Sequence, residues 1–293
     1  MTWHGRDVTV VIPTYNRAAL LEKAIASALA QTEPVGAIIV VDDGSTDDSR
    51  ERVAALAARD PRISLRTQAN AGANVARNTG VAAAATALVG FLDSDDRWMP
   101  EKIERQLAAW RARPDAVASF TGILAVDGDR PLYSYDIPVE LTIDEIRRHN
   151  VLGSTSSALV RTDVLRAVGG FDPGLPSCQD WDLYLRLRRA GPFATVTDDL
   201  VLYDDGPHDR ITHQSGKTVA GHQAVFARAL SDVDDQRERR RIRAAHAEVM
   251  TRLYLRHGDW RAARRQAIRA VVLDPNLIHV RKLARIVVRR AKS

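Results

Sequence analysis

The chain has 293 residues, of which 45% are hydrophobic and 27% are charged, and its formal net charge is +5. This length is enough for one large α/β domain with a smaller appendage. No run of about 18 apolar residues occurs, which argues against a membrane span. The single cysteine, Cys178, excludes a disulfide framework and a cysteine-based zinc site. The N-terminus has no signal-peptide layout, so a cytoplasmic location is expected.

The first part of the chain alternates between strand and helix patterns. Apolar runs predict strands at 8–13, 37–43, 63–67 and 87–92. Helical spacing or helix-start signals occupy 17–31, 45–60, 73–85 and 99–114. Continuous apolar strands that alternate with helices indicate a parallel sheet covered on both faces.

The middle of the chain mixes shorter elements. Strands are predicted at 116–126, 131–137 and 154–161, and a short helix at 141–150. A loop rich in Gly and Pro at 169–176 precedes an amphipathic helix at 180–191, which Gly191 ends. From about residue 220 the sequence is helical and heavily charged, without the period of a true repeat array.

Three polar clusters follow predicted strands: PTYNR at 13–17, DDGSTDD at 42–48 and DSDDRW at 93–98. In open α/β sheets, ligands bind outside the carboxyl ends of the strands. If these three strands are neighbours, the clusters meet in one crevice. The carboxylates of the third cluster suit Mg²⁺ or Mn²⁺, which leaves coordination positions for a diphosphate. The alternative is a solvated turn whose Asp residues cap the next helix.

The first two clusters allow two interpretations each. Asp42 and Asp43 precede Gly44, and a carboxylate there can accept a hydrogen bond from a ribose hydroxyl or a base N–H. An Asp-Gly turn capped by Ser45 or Thr46 is the structural alternative. Tyr15 is either a base-stacking residue or a half-buried aromatic. Because GxGxxG and GxxxxGK[ST] are absent, neither a dinucleotide fold nor a nucleoside triphosphatase is supported.

Taken together, five segments resemble glycosyltransferase family 2 with the GT-A fold. They are VTVVIPTYNR, AIIVVDDGSTDDS, the NAGANVARNTGV region, FLDSDDRWMPEKIE and GGFDPGLPSCQDWDLYLRL, which span roughly residues 8 to 190. The resemblance implies an α/β fold with a Rossmann-like nucleotide-binding mixed sheet flanked by helices and a C-terminal helical appendage. The expected catalytic domain covers 1–215, with a nucleotide-sugar-binding half at 1–98 and an acceptor-binding half at 99–215. Residues 216–293 form the expected helical region.

The resemblance implies an inverting transferase that moves a sugar from a nucleotide-sugar, most often a UDP-sugar, to an acceptor hydroxyl. A divalent cation, Mn²⁺ or Mg²⁺, assists. Pro13 and Tyr15 would line the base pocket, and Asp43 would hydrogen-bond the base. Arg77 and Ser94 are also assigned to donor binding.

The same resemblance assigns the residues of the reaction centre. Asp93 would face the ribose or the metal, and Asp95 would bind the metal, which stabilises the departing diphosphate. Asp180 matches the family's catalytic base, which takes the proton of the acceptor hydroxyl; a helix N-cap is its alternative role. The residue before the base is usually Glu and is Gln179 here, from which we expect a changed acceptor pocket rather than an inactive enzyme. Asp182 is expected to be structural.

Beyond residue 190 the resemblance weakens, and GPHDRITHQSGK lacks the commonest R-x-H spacing of the family. We assign His213 as the third metal ligand, with His208 as the open alternative, and Arg210 as a contact of the diphosphate. A lone surface histidine is the competing interpretation.

The last 17 residues, 277–293, carry six basic residues and no acid. Their apolar residues fall on one helical face, a pattern that suits the surface of an anionic bilayer. A peripheral position at the inner face of the membrane would fit a glycan or lipid-linked acceptor in cell-envelope assembly; a terminal helix packed on the domain is the alternative. Nucleic acid is not an expected partner, because basic and aromatic residues are not interleaved.

Two other functions compete with a glycosyltransferase. A sugar-nucleotide nucleotidyltransferase resembles this class but has a glycine-rich N-terminal loop, which VIPTYNRAAL lacks. A catalytically silent nucleotide-sugar-binding or scaffolding protein is the second alternative. The retained Asp43, Asp93, Asp95 and Asp180 argue against it, whereas Gln179 leaves it open.

Overall fold

The computed structural model describes residues 3–206 and 215–275. The strands are β1 (Val8–Thr14), β2 (Ala37–Asp42), β3 (Ile63–Thr67), β4 (Leu88–Phe91), β5 (Arg97–Trp98), β6 (Ala118–Asp127), β7 (Arg130–Tyr135), β8 (Leu159–Arg161) and β9 (Phe193–Asp204). The helices are α1 (Ala18–Leu29), α2 (Ser49–Ala57), α3 (Ala73–Ala83), α4 (Lys102–Ala112), α5 (Ile143–Arg148), α6 (Thr162–Ala167), α7 (Gln179–Ala190), α8 (Ser215–Leu230), α9 (Gln236–Arg256) and α10 (Trp260–Leu273). His208, Arg210, His213 and the basic tail lie outside the described residues.

The strands within the described ranges form one mixed sheet in the order β3-β2-β1-β4-β8-β6-β9-β5, with β7 paired to β6. The first four strands are parallel: β1 pairs with β2 and β4, and β2 pairs with β3. Beyond β4 the directions change, because β8 runs antiparallel to both β4 and β6 and β9 runs parallel to β6. The expected mixed α/β sheet is confirmed, and its first half is the predicted parallel one.

The parallel half of the sheet is buried as its apolar strands predict. Every residue of β1 is buried, and the apolar stripe of α1 packs against the same core cluster, with Leu21 and Ile25 fully buried. On α3, a Cβ at Gly80 would overlap the side chain of Val11. A glycine here therefore lets α3 approach β1 closely. Arg77 lies three residues earlier, on the same helix face.

Some elements of the second half differ from the sequence-based expectation. The segment predicted as a strand at 154–161 is a 3₁₀ turn at Thr155–Ser157 followed by the short β8. Strand β9 was not predicted. Its middle is polar, at Thr197 to Asp199, and its pairing with β6 is interrupted by register shifts. Its formation is decided by β6, a partner some 75 residues earlier in the chain.

The described chain divides into two compact units. The first comprises residues up to 141 together with 151–174 and 186–206, and the second comprises 142–150, 175–185 and 215–275. This division differs from the expected sequential boundary at residue 215, because two short segments join the C-terminal helices. Arg147 pairs with Asp232 at 2.9 Å and Arg148 with Glu238 at 3.0 Å, which attaches α5 to this helical unit.

The helical unit is built from capped, amphipathic helices. Asp235 caps α9 by accepting hydrogen bonds from the backbone N–H groups of Arg237 and Glu238. Asp259 caps α10 after a turn at Gly258, whose φ is +77°. None of the helices within the described ranges combines the length and the apolar character that a membrane span requires.

Candidate active site

The three polar clusters lie side by side at one edge of the sheet. Strands β2, β1 and β4 are parallel neighbours, so their carboxyl ends meet there. The backbone N–H of Asn16 donates to Ser45 Oγ at 2.9 Å, and Asn16 Oδ1 accepts from the backbone N–H of Thr46 at 2.8 Å. Arg17 Nη1 donates to Asp95 Oδ2 at 2.8 Å. The predicted meeting of the three clusters is confirmed.

Asp43 holds the loop that leads into α3. Its side chain is 4% exposed, and its Oδ1 accepts from Gln68 Nε2 at 2.8 Å and from the Ala71 N–H at 2.9 Å. Its Oδ2 accepts from the Gly72 N–H at 2.7 Å. A carboxylate has about four acceptor positions, so the arrangement leaves room for one further donor such as a base N–H. Sequence reasoning named Asp43 but missed its hold on this loop.

Asp42 makes different contacts from those of Asp43. It is fully buried, accepts from the Ser45 N–H at 3.2 Å, and pairs with Arg50 Nε at 2.5 Å. Gly44 has a φ of +83°, and a Cβ there would lie 2.9 Å from the Asn70 nitrogen. Asp42 and Gly44 thus form the Asp-Gly turn, while Asp43 is turned toward the loop.

Arg77 lies beside Asp93 and is only partly satisfied. Its side chain is 6% exposed, and Nη2 donates to Asp93 Oδ1 at 2.6 Å. Its Nε and Nη1 have no hydrogen-bond partner among the described residues, and its guanidinium lies 5.3 Å from the centroid of the Phe171 ring. Buried N–H groups without acceptors are unfavourable, so the arrangement favours a ligand that brings acceptor oxygens.

The three carboxylates of DSDD are stabilised in two ways, two by arginine pairs and one by hydrogen bonds. Asp93 meets Arg77, and Asp95, 17% exposed, meets Arg17. Asp96 is 1% exposed and is structural, since it accepts from Ser156 Oγ at 2.5 Å and from the Asp204 N–H at 3.3 Å. The side chains that face solvent are therefore the first and the third of the motif, as its DxD spacing requires. Ser94, between them, is buried.

The 3₁₀ turn Thr155–Ser157 supports this motif, and sequence reasoning missed it. Thr155 Oγ1 donates to Asp93 Oδ2 at 3.2 Å. Ser156 Oγ accepts from the Asp93 N–H at 3.0 Å while it donates to Asp96. One hydroxyl thereby fixes the two ends of DSDD. The run of Ser and Thr was the available signal, but its β-like composition suggested a strand.

A buried polar network supports the 3₁₀ turn Thr155–Ser157. Trp98 Nε1 donates to the Ser156 carbonyl at 2.9 Å, and Gln106 Nε2 donates to the Ser157 carbonyl at 3.0 Å. Lys102 is fully buried, donates to Gln106 Oε1 at 2.7 Å, and lies 4.1 Å from the centroid of the Trp98 ring. Burial lowers the pKa of Lys102 well below its usual value, which favours the uncharged amine.

The predicted base-pocket residues sit where β1 ends. Pro13 is buried within β1, and Tyr15 is 47% exposed just beyond it. Asn16 follows with a φ of +52°. An exposed fraction of 47% is compatible with both a base-stacking residue and a half-buried aromatic.

The residues present fit a divalent cation only together with a ligand. Within 3–206 and 215–275, no group of three or more His, Cys, Asp or Glu side chains could hold a metal ion. Asp93 and Asp95 provide two carboxylates at the end of β4. Mg²⁺ is usually bound by one or two carboxylates, substrate phosphates and water, so this donor set suits it. The predicted third ligand, His213, lies outside the described residues.

Asp180 belongs to the helical unit, at the start of α7. Its Oδ1 accepts from the Trp181 N–H at 2.8 Å, and its Oδ2 accepts from Asn150 Nδ2 at 2.8 Å. Cys178, two residues earlier, has a φ of +59°, and burial together with the Asp180 charge raises the pKa of its thiol to about 12. Trp181 is 1% exposed and donates to the Ile146 carbonyl. The Asp180 carboxylate is thus oriented by neighbours on both sides.

Asp182 has the structural role that was expected. It is 1% exposed and pairs with Arg228 Nη1 at 2.6 Å, which joins α7 to α8 within the helical unit.

Comparison with known proteins agrees with these features. The model of the family described as Glycosyl transferase family 2 matches residues 9–169. A proposed teichuronic acid biosynthesis glycosyltransferase of Bacillus subtilis, TuaG, is 34% identical over 188 residues, which cover 63% of this chain and 73% of that protein. Chondroitin synthase of Escherichia coli is 30% identical over 194 residues, 64% of this chain and 27% of that protein. The chain thus matches about a quarter of the length of the latter relative.

Solved structures share the fold. Staphylococcus aureus TarS 1–349 in complex with UDP aligns with a TM-score of 0.63 at 19% identity, over 85% of this chain and 72% of that one. The mannosyltransferase PcManGT of Pyrobaculum calidifontis, in complex with GDP-Man and Mn²⁺, aligns with a TM-score of 0.63 at 22% identity, over 97% of this chain and 79% of that one. The GT-A fold expected from the sequence is confirmed.

Proposed function

Because the chain belongs to glycosyltransferase family 2, we propose that it is an inverting transferase that moves a sugar from a UDP-sugar to a glycan or lipid-linked acceptor. Its product would be a cell-envelope polysaccharide. Relatives named for teichuronic acid biosynthesis and for chondroitin synthesis support a polysaccharide acceptor.

The observation that carries the proposal is the pair Arg77 and Asp93 at the strand ends. The buried guanidinium has two nitrogens without hydrogen-bond acceptors among the described residues. A nucleoside diphosphate carries many oxygens that could accept from them. Asp43 and the exposed Tyr15 lie just beyond the carboxyl ends of the two neighbouring strands, β2 and β1. They would take the base and ribose. TarS was solved with UDP and with UDP-GlcNAc, and PcManGT with GDP-Man, so UDP is the first nucleotide to test and GDP the second.

A metal ion would be held by Asp93 and Asp95, each giving up part of its arginine contact. When bound, it would supply positive charge to the departing diphosphate. Arg17 and Arg77 would remain beside these carboxylates. They would limit the repulsion between the protein's acids and the donor's phosphates.

Asp180 is the proposed general base. Its carboxylate would accept the proton of the acceptor hydroxyl while that oxygen forms the new bond to the anomeric carbon. The bond from that carbon to the diphosphate oxygen breaks with its electron pair, so the leaving group departs as UDP and the anomeric centre inverts. The Asn150 and Trp181 donors keep the carboxylate oriented before the transfer.

Calorimetric titration with UDP, with and without Mn²⁺, tests this function. We expect UDP to bind only when Mn²⁺ is present, and Asp95→Ala to remove that dependence. Asp163→Ala is the matched control, because Asp163 pairs with Arg161 on the surface of the same unit. Absence of UDP binding in both conditions, followed by absence of binding of GDP, dTDP and CMP, would refute a nucleotide-sugar transferase.

The second candidate is a catalytically silent nucleotide-sugar-binding protein, for which Gln179 is the favouring observation. A protein of this kind binds UDP but turns over no donor with any acceptor. Radiolabelled transfer measured beside UDP binding separates it from the enzyme. The nucleotidyltransferase alternative predicts pyrophosphate formation from UTP and a sugar phosphate, which the same preparation can be assayed for.

A further inference from the structure

Strand β7 presents tyrosines at the edge of the sheet in the first unit. All six of its residues are exposed, and Tyr133 and Tyr135 are 44% and 42% exposed. In the register of the sheet, Tyr133 lies opposite Ala125 of β6, and Ala125 lies opposite Tyr203 of β9. Residues opposite one another point to the same face of a sheet. Tyr133, Tyr135 and Tyr203 therefore form one tyrosine surface.

The rings of the tyrosine surface contact one another edge to face. The centroids of Tyr133 and Tyr135 are 5.2 Å apart, and those of Tyr135 and Tyr203 are 6.5 Å apart. Such contacts fix the ring orientations before any ligand arrives. The exposed fractions of Tyr133 and Tyr135 leave part of each ring accessible.

One edge of this surface is polar. Tyr133 Oη donates to Asp205 Oδ2 at 2.7 Å and lies 3.2 Å from Tyr135 Oη. Partial burial, followed by these hydrogen bonds, raises the pKa of Tyr133, so its phenol keeps its proton and can both donate and accept a hydrogen bond. Aromatic faces bordered by hydroxyls and a carboxylate match a saccharide, whose ring has an apolar C–H face and a rim of hydroxyl groups.

The tyrosine surface is connected to the donor-site motif through the end of β9. The Asp204 N–H donates to Asp96 Oδ1 of the DSDD motif at 3.3 Å. The next residue, Asp205, donates from its N–H to the Val126 carbonyl at 2.7 Å and accepts from Tyr133. Three consecutive steps of hydrogen bonding thus link the strand that carries the tyrosines to the proposed donor site.

The edge of β7 is poorly suited to adding a strand from another protein. Pro131 has no N–H to donate, and a bulge shifts the register between Ala125 and Val126. Edge prolines and bulges are the features by which sheets resist edge-to-edge pairing. The exposed parts of the Tyr133 and Tyr135 rings, rather than the backbone edge, are the contact surface.

From these observations we propose that the tyrosine surface binds saccharide units of the acceptor glycan, outside the reacting hydroxyl. This proposal rests on the proposed transferase function, which defines the acceptor glycan. The tyrosine surface would raise the local concentration of the growing glycan. Tyr135 would stack on a sugar ring, and Asp205 would accept a hydrogen bond from a sugar hydroxyl.

An oligosaccharide array tests the proposal directly. The labelled full chain is applied to defined oligosaccharides of uronic acids, N-acetylhexosamines and hexoses, and bound ligands are re-titrated in solution. Tyr135→Ala should weaken oligosaccharide binding about tenfold, the loss expected for one aromatic contact of about 1.4 kcal/mol. Tyr133→Phe keeps the ring and loses only the hydroxyl contacts with Asp205 and Tyr135, so it should weaken binding less. Val139→Ala is the matched control, since Val139 is 74% exposed in the same unit but outside the tyrosine surface.

The affinity for UDP, measured on the same variants, should remain unchanged and also reports that they are folded. The proposal is overturned if the wild-type chain binds no oligosaccharide, or if Tyr135→Ala binds as tightly as wild type. It is also overturned if Tyr135→Ala converts a dimer into a monomer without changing oligosaccharide binding, because the surface would then be a contact between two copies. If the wild-type chain binds oligosaccharide through these tyrosines but binds no UDP, the proposed donor site is refuted and the tyrosine surface is not.

Discussion

Arg77 donates from Nη2 to Asp93 Oδ1 at 2.6 Å, while its Nε and Nη1 have no partner among the described residues. The pair is therefore half complete: the carboxylate neutralises the charge of the guanidinium but leaves two of its donor groups without acceptors. A ligand oxygen placed there would gain a charge-assisted hydrogen bond from a group that is already oriented.

We predict that Arg77→Met weakens UDP binding by about ten- to a hundredfold, the range for losing a hydrogen bond to a charged group of about 1.5–3 kcal/mol. Arg77→Lys should recover little, because a lysine presents a point charge rather than a planar fork of donors. Isothermal calorimetry with UDP and Mn²⁺ measures both. Arg62→Gln, which breaks a surface pair with Asp60, is the control and should bind as wild type. Unchanged affinity in Arg77→Met would remove this residue from the donor site.

Asp43→Asn should affect both stability and donor binding. Asp43 accepts three hydrogen bonds from the loop 68–72, and the amide nitrogen of Asn would face at least one N–H group. An unsatisfied buried donor costs about 1–3 kcal/mol. Urea denaturation should show a loss of that size, and UDP affinity should fall with it. If stability falls while UDP affinity stays constant, Asp43 serves only the loop.

Asp180→Asn should separate chemistry from binding. The amide keeps the shape, and its one oxygen can still accept from Asn150 or from the Trp181 N–H, but it cannot take a proton. We expect kcat to fall by about a hundredfold or more, since general-base catalysis contributes 10²–10⁴-fold. UDP affinity should be retained. Asp182→Asn is not a suitable control, because Asp182 is buried in an ion pair; Asp144→Asn, on the exposed side of α5, serves instead. A parallel loss of UDP binding in Asp180→Asn would point to a fold defect.

The helical unit should lose stability in mild acid. His246 is 6% exposed, its ring stacks on Phe226 with centroids 3.8 Å apart, and its Nε2 has no partner among the described residues. Burial, and then the neighbouring His222 and Arg269, lower the pKa of His246 to about 4. In the unfolded chain the group titrates near 6.5. Between these values the unfolded state binds the proton and the folded state does not, so the free energy of unfolding falls as the pH drops.

The size of this acid effect is measurable. From pH 7.5 to pH 5, His246 alone should lower the free energy of unfolding by about 2 kcal/mol. His246→Phe keeps a ring against Phe226 and should remove that part of the pH dependence. Urea denaturation followed by tryptophan fluorescence, at both pH values, gives the comparison. An equally steep pH dependence in His246→Phe would mean that other groups, such as His222, account for it.

The parallel half of the fold was predictable because its information is local. In β1, β2 and β4 nearly every residue is apolar, and each strand ends in a turn built from Asp, Asn, Gly or Ser. Burial on both faces forces this composition. The positions of Asp43, Asp93 and Asp95 followed from the same pattern, because a cluster after a parallel strand has only one edge of the sheet to occupy.

The second half was less predictable because its strands depend on distant partners. Strand β9 carries Asp198 and Asp199 in its middle, and Gly122 of β6 leaves space for the carboxylate of Asp199. No window of sequence around residue 198 contains that information. The 3₁₀ turn at Thr155–Ser157 is similar, because its hydroxyls hydrogen-bond to Asp93 and Asp96, some 60 residues away in the sequence.

The sequence by itself thus determined the class of fold, the order of the first elements and the acidic residues that follow β2 and β4. The tertiary structure decided which of those acids supports a turn from within the protein and which pairs with an arginine or holds the loop before α3. Asp42 and Asp96 became buried supports, and Asp43, Asp93 and Asp95 were left beside Gln68, Arg77 and Arg17. The physical reason is that hydrophobic periodicity involves residues that are near one another in the sequence. The partner of a charged side chain can be a residue that is distant in the sequence and close only in the folded protein.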